Sequence, residues 1–277
     1  MGLFGNRYTN AGAGITKEEA AKRNYFDILG RKFWKLIQLN LLYVLVNILF
    51  FGASIFLVTL YDWRSIIDAL IKGQLIRLPF LPFIPLMLTG PFTAGLTYVV
   101  RNFSRQEHAF VCSDFFEHSW KNVKQALITS ILQVLVLYLF TMAFFFYRQV
   151  FIAQGLNYGI LLGLTLVLSI LLLSMSFYIY PMIVTFDMKL VHIFKNAWIF
   201  AMSKLPQNIF ILIILGAVHG LLIWYIPIAW ILLMPVFLIA WSSYTMNYYA
   251  WHLMDKYMIS QLEDEKEGEE AEPFLDE

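Results

Sequence analysis

The sequence predicts an all-α, polytopic membrane protein with six transmembrane helices and amphipathic interfacial helices. Three observations carry this: 60% of the 277 residues are hydrophobic, 14% are charged and mean hydropathy is +0.66; long stretches lack any charge; and the basic residues alternate in density between those stretches. A soluble globular chain carries roughly a quarter charged residues. The composition therefore argues against a nucleic-acid partner, a disordered scaffold or a secreted disulfide domain.

A spanning helix needs about 20 mostly apolar residues, because the hydrocarbon core is roughly 30 Å thick and each residue rises about 1.5 Å. Stretches free of Asp, Glu, Lys and Arg run over 36–61, 78–100, 125–147, 149–186 and 205–254. The first three each hold one span. The fourth begins with Gln149, Gln154, Gly155 and Asn157, which places its span near 159–184. The fifth is too long for one crossing, and Pro227 marks a turn that divides it.

Lys and Arg concentrate in short cytoplasmic loops. Sixteen of the 20 basic residues fall before 36, in 101–124, in 187–204 or after 254, and the remaining four are Arg64, Lys72, Arg77 and Arg148. The expected placement is a multi-pass protein of the cell membrane with both termini cytoplasmic. Residues 1–35 contain no apolar h-region of a cleavable signal peptide. The single Cys112 lies in an expected cytoplasmic loop, as a reduced thiol.

The chain divides into a cytoplasmic segment 1–35, a membrane domain 36–254 and an acidic tail 255–277 expected to be disordered. Thr16 and Glu19 fit a capping box that opens an amphipathic helix, with Tyr25, Ile28, Leu29, Phe33 and Leu36 on its apolar side. It is expected to lie on the inner leaflet before turning into the membrane. In 61–78, Asp62 caps a second interfacial helix that Gly73 ends, and Arg64 and Asp68 have pairing distance. The span over 78–100 carries Pro79, Pro82 and Pro85 at its mouth and Gly90-Pro91 in its middle. It should be kinked and packed inside the bundle, with Gly90 and Gly95 permitting close helix approach. From Glu263 to Glu277 nine acidic residues accompany one Lys, so an acidic tail follows a basic body.

Catalytic signals are absent. Glu18-Glu19-Ala20-Ala21-Lys22-Arg23 matches the EExxxR string of CAAX-type intramembrane proteases, but none of His108, His118, His192, His219 and His252 has the Phe four residues earlier that this chemistry needs. His108, Cys112, Asp114 and His118 crowd one loop, and an ordinary polar loop is the preferred reading over a metal site. No cofactor or Walker A loop is visible. The spans lack the charged groups that ion-coupled carriers use. Asn40, Asn47 and Gln133 remain for interhelical hydrogen bonds, and His219 for a single bond.

Phe116-xxx-Trp120 precedes the third span and Phe194-xxx-Trp198 the fifth, each in an amphipathic stretch. With Phe115 they are candidate partner-docking residues, while interfacial anchoring is the competing role. The run Gly90-Pro91-Phe92-Thr93-Ala94-Gly95 to Arg101, then Ser113-Asp114-Phe115-Phe116 and Asn122-Val123-Lys124-Gln125-Ala126, resembles the YesL family of bacterial membrane proteins. Those members share a GPxxAG-type span, a DFF-type segment and an NxKQ-type helix start; Glu107-His108 and Cys112 depart from the pattern. The family's genes lie beside carbohydrate ABC importers. The resemblance thus implies a non-enzymatic accessory subunit contacting membrane lipid and importer permeases. The alternatives are an autonomous transporter or channel for a neutral solute, and a membrane partner of a sensor kinase.

Overall fold

The computed structural model describes residues 24–71, 79–154 and 159–259, and every regular element in them is helical. The Thr16–Glu19 capping box, Gly73 and the tail from residue 260 onward lie outside the described residues, while Asp255–Ile259, expected to be disordered with the tail, form a π-helical turn. Five helices are long and apolar enough to cross a membrane, and a pair bent by 61° at the start makes a sixth if the two count as one span.

Helix α1 spans Tyr25–Val46. Asn24 caps it, accepting from Phe26 N and Asp27 N at 3.1 Å, while Asp27 accepts from Asn24 N. The helix runs straight through residue 36, so the expected turn into the membrane is absent there. The break falls instead at Asn47, where α1 meets α2 (Ile48–Thr59) at 61°. The side chain of Asn47 donates to Tyr43 O at 2.8 Å, the local competition with the helix ladder that asparagine offers. Asp62 then opens α3 (Trp63–Ile71) by accepting from Ser65 N; Arg64 and Asp68 form no ion pair.

Two 3₁₀ turns, Leu81–Phe83 and Pro85–Thr89, lead into α4 (Gly90–Ser104) with Pro91 in its first turn. In α4 all residues except Phe92, Thr93 and Tyr98 are buried. A Cβ on Gly90 would overlap Ala126 O and the Ser130 side chain, and one on Gly95 would overlap Phe115 O and Ser119 Oγ. These glycines let α4 approach α5 (Val111–Lys121) and α6 (Val123–Gln154) backbone to backbone.

Helix α7 spans Gly159–Thr185, α8 Leu190–Ser203 and α9 Leu205–Tyr225. Pro227 opens α10 (Pro227–Leu233), so the fifth apolar stretch divides there; a π-helical turn, Met234–Leu238, joins α10 to α11 (Ile239–Met254). Two buried clusters result. One joins α1, α4, α5 and α11 through Leu36, Val99, Phe103, Phe115 and Tyr244; the other joins α7, α8 and α11 through Tyr178, Met182, Ile193, Ala197 and Met254. Around them α2, α6 and α9 turn apolar side chains such as Leu49, Leu139 and Phe210 outward, as lipid contact requires.

The break before α11 is repaired from α1. Asn40 donates to Met234 O at 3.1 Å and Pro235 O at 2.6 Å, and its Oδ1 accepts from Ala240 N at 2.7 Å. Replacing Asn40 by Leu keeps the branched heavy-atom skeleton and strands three buried backbone groups. A loss of about 3 kcal/mol is expected, from roughly 1–3 kcal/mol per unsatisfied buried group with partial relaxation, read as earlier unfolding in a detergent titration. Gly95→Ala should cost about 2 kcal/mol in the same assay, since its neighbour is a backbone carbonyl that cannot rotate away.

Candidate functional site

Helices α5 and α8 each follow a buried span and precede the next one, and their side chains match in register. Phe115 and Ser119 point into the core on α5, as Ile193 and Ala197 do on α8. One position further on, Phe116 and Trp120 correspond to Phe194 and Trp198. Trp120 is 62% exposed, Trp198 40% and Phe116 38%. Phe194 is half-buried against the α7–α8 cluster. Phe115 is wholly buried between α4 and α5, stacked 6.3 Å from Phe92. Its expected docking role is therefore corrected to a packing role: an aromatic on the α4 side of a short helix fills the core.

The expectation of charge-free spans also needs correction. Helix α4 continues past Val100 to Ser104, and Arg101 is only 7% exposed. Its guanidinium donates to Val184 O at 2.7 Å and Thr185 Oγ1 at 3.2 Å, at the end of α7, and to the Asn102 side chain. It also lies 4.5 Å from the Tyr98 ring centre. A cation at a helix C-terminus meets the negative end of the helix dipole. The sequence signal for this residue was the single Arg closing a glycine-rich apolar run, read as the first loop residue because it ends the charge-free stretch.

His118 on α5 stacks on the other ring of this group, 3.2 Å from Tyr98 and nearly parallel. The other members of its loop are engaged elsewhere: Asp114 accepts from Phe110 N at 2.9 Å, His108 packs on Phe110, and Cys112 is exposed. No group of three metal-ligating side chains forms among the described residues. Nearby, Arg105 pairs with Glu107 at 2.6 Å and lies over Trp251.

Elsewhere in the bundle the helices line an open cavity of about 360 Å³. Its polar wall comes from many elements: Tyr43 of α1, Thr93 and Thr97 of α4, Gln133 of α6, Ser176 of α7, His219 of α9, and Ser242, Ser243 and Asn247 of α11. No Asp, Glu, Lys or Arg lines it. Tyr43 and Thr93 share a hydrogen bond of 3.0 Å, and Gln133 donates to Ser176 Oγ at 3.2 Å. His219 makes two bonds rather than one, to Ser242 Oγ at 3.0 Å and with Trp230 Nε1 at 3.1 Å. Of the polar residues singled out from sequence, Gln133 reaches this cavity, whereas Asn40 and Asn47 are engaged on backbone. The hydroxyls went unnoticed because Ser and Thr scattered along apolar helices carry no periodic signal.

A family model described as a protein of unknown function, DUF624, matches residues 36–144, from within α1 through most of α6. No curated protein and no solved structure matches the chain. The matched segment contains Gly90, Pro91, Gly95, Arg101 and Trp120 and stops before α7, so His219 and Ser242 lie beyond it.

Burial holds the His118 imidazole below its ordinary value of 6.5; Lys121 and Arg101 add to this, against Glu117 and Asp114. As pH falls, the unfolded chain takes up this proton first. The stabilising contribution is complete above about pH 6.5 and is lost as pH drops from there toward the lowered folded value. His118→Phe, which keeps a ring on Tyr98, should lose part of the fall in melting temperature between about pH 7.5 and 5.5. An identical pH slope in both proteins would remove His118 from the account.

Proposed function

We propose that this chain is a non-enzymatic, multi-pass subunit of the cell membrane, with both termini cytoplasmic, that associates laterally with the permease pair of a carbohydrate ABC importer. The observation that carries the reading is the matched pair of short helices α5 and α8. Each is locked to the bundle on one face, by Phe115 and Ser119 or by Ile193 and Ala197, and presents a tryptophan on the next position, Trp120 or Trp198. A rigid helix that exposes a large aromatic side chain beside a membrane boundary suits a protein contact, since Trp is enriched among residues that dominate interfaces. The resemblance of the Gly90–Ala126 region to the YesL family supports the importer as partner, and the DUF624 match covers the same region. The concentration of basic residues at the α5 and α8 end supports the cytoplasmic orientation.

A second reading, passage of a neutral solute by the chain alone, is favoured by one observation, the uncharged cavity whose largely apolar wall carries several hydroxyl and amide groups. Solute flux into liposomes containing only this protein separates it from the first.

Tagged purification from native membranes in mild detergent should recover two permeases and an ATPase in fixed ratio. Trp120→Ala with Trp198→Ala should reduce that recovery about tenfold or more, the loss of roughly 1.4 kcal/mol or more of contact energy. Recovery of the protein alone overturns the assignment; undiminished recovery of the double variant moves the contact away from these helices.

A further inference from the structure

We infer that the cavity between α4, α7, α9 and α11 is a binding site for a small, neutral, hydroxyl-bearing molecule, held by α11 through Ser242, Ser243 and Asn247. Trp230 fixes the tautomer of His219. An indole N–H only donates, so His219 Nδ1 accepts it and the imidazole proton sits on Nε2. That proton points to Ser242 Oγ at 3.0 Å, which makes the serine oxygen the acceptor. The Ser242 hydroxyl proton then has no acceptor among the described residues.

Ser243 is in the same position. Its oxygen receives Asn247 Nδ2 at 3.3 Å, and its own O–H donates to nothing described. Two other cavity hydroxyls are engaged locally, Thr93 on Thr89 O and Ser176 on Leu172 O, while Thr97 and Tyr180 add further hydroxyls to the wall. The buried Asn247 supplies the complementary group, because its Nδ2 is engaged on Ser243 while its Oδ1 is buried without a hydrogen-bond partner. One strip of α11 therefore brings two unengaged hydroxyl donors to the cavity, beside the buried, unpaired Asn247 Oδ1.

A hydroxyl group both accepts and donates, so one or two hydroxyls satisfy this set. An ion does not fit, since no charged side chain lines the cavity to replace its hydration. The volume of about 360 Å³ falls at the small end of ligand sites, roughly 300–1,000 Å³. Polyols arriving from water and alcohol-headed lipids arriving from the bilayer share this chemistry. The site stands whether or not the chain joins a permease, so it fails or holds independently of the accessory role.

The test uses the full chain in lipid nanodiscs, with equilibrium binding of radiolabelled glucose in one arm and of monoolein in the other. Saturable binding of either probe is expected, and the arm that saturates identifies the source. Ser242→Ala should weaken it about tenfold, the equivalent of one hydrogen bond near 1.4 kcal/mol, and Ser243→Ala by a smaller factor, with melting temperatures unchanged. Absence of saturable binding of both probes up to about 10 mM, ten times a millimolar Kd, overturns the proposal. So does binding by both serine variants at the wild-type affinity.

Discussion

Hydrocarbon offers no hydrogen bonds, so each break in a membrane helix must be closed by another part of the protein. This chain breaks its helices repeatedly, and polar side chains from neighbouring elements meet several of the breaks. Asn40 closes the π-helical turn at Met234–Leu238 from α1. Ser130 of α6 donates to Met87 O in the 3₁₀ entry to α4. Arg101 meets the last carbonyls of α7, and Gln125 the Met188 carbonyl in the turn that follows. Asn208 binds Phe200 O and Ala201 O at the end of α8 and accepts from Tyr178 at 2.5 Å. Lipid is as apolar as leucine, so burial of aliphatic surface does little to hold such helices together. These repairs, with the backbone contacts at Gly90 and Gly95, hold α1, α4, α7 and α11 in one arrangement.

That division sorts the polar residues of the bundle. Side chains that close a break are fully engaged and have no further capacity. The unengaged hydroxyls that face the cavity include Ser242 and Ser243 of α11, on the helix just beyond the π-helical turn that Asn40 repairs. The turn shifts the register of the final span, so Ser242, Ser243 and Asn247 come to lie along the cavity while Tyr244 and Ala240 pack toward α1 and α4. The same side chain that stabilises the fold thus sets which face of α11 reaches the cavity. Local widening of a helix is a recurrent device at sites where function needs a changed register.

Much of this architecture is visible in the residues. Charge-free stretches locate the crossings because the cost of burying a charge in lipid leaves a plain mark, and Pro227 divides the last stretch because proline fits the first turn of a helix. Gly90 and Gly95 read as contact positions for the same local reason. What escapes reading depends on partners distant in sequence. Asn47 breaks α1 where a turn near residue 36 was expected, because amphipathic pattern and apolar pattern both continue through one helix. Phe115 and Phe116 are adjacent aromatics of equal composition, and only the packing of α5 on Gly95 decides which is buried. Ser242 is one serine among many; its unengaged proton follows from Trp230 and His219, which lie 12 and 23 residues away.

Arg101 ties these strands together. A cation in a low-dielectric bundle needs negative partners, and here none is a carboxylate: they are the Val184 carbonyl, the Thr185 hydroxyl, the Asn102 amide oxygen and the Tyr98 ring. Each carries only a partial charge, and the end of the α7 dipole adds to them. Together they hold the guanidinium in place while adding no opposite full charge to the interior. Arg101 lies one helical turn beyond Thr97, a cavity residue, yet its donors are taken by the end of α7 and by Asn102 rather than by the cavity. The charge is thereby committed to joining α4 to α7, and the cavity keeps a lining of hydroxyl, amide, imidazole and aromatic groups. Selectivity for a neutral molecule then follows from the same bonds that close the helix ends: the one buried Lys or Arg among the described residues is already engaged, and the polar groups left facing the cavity recognise oxygen without charge.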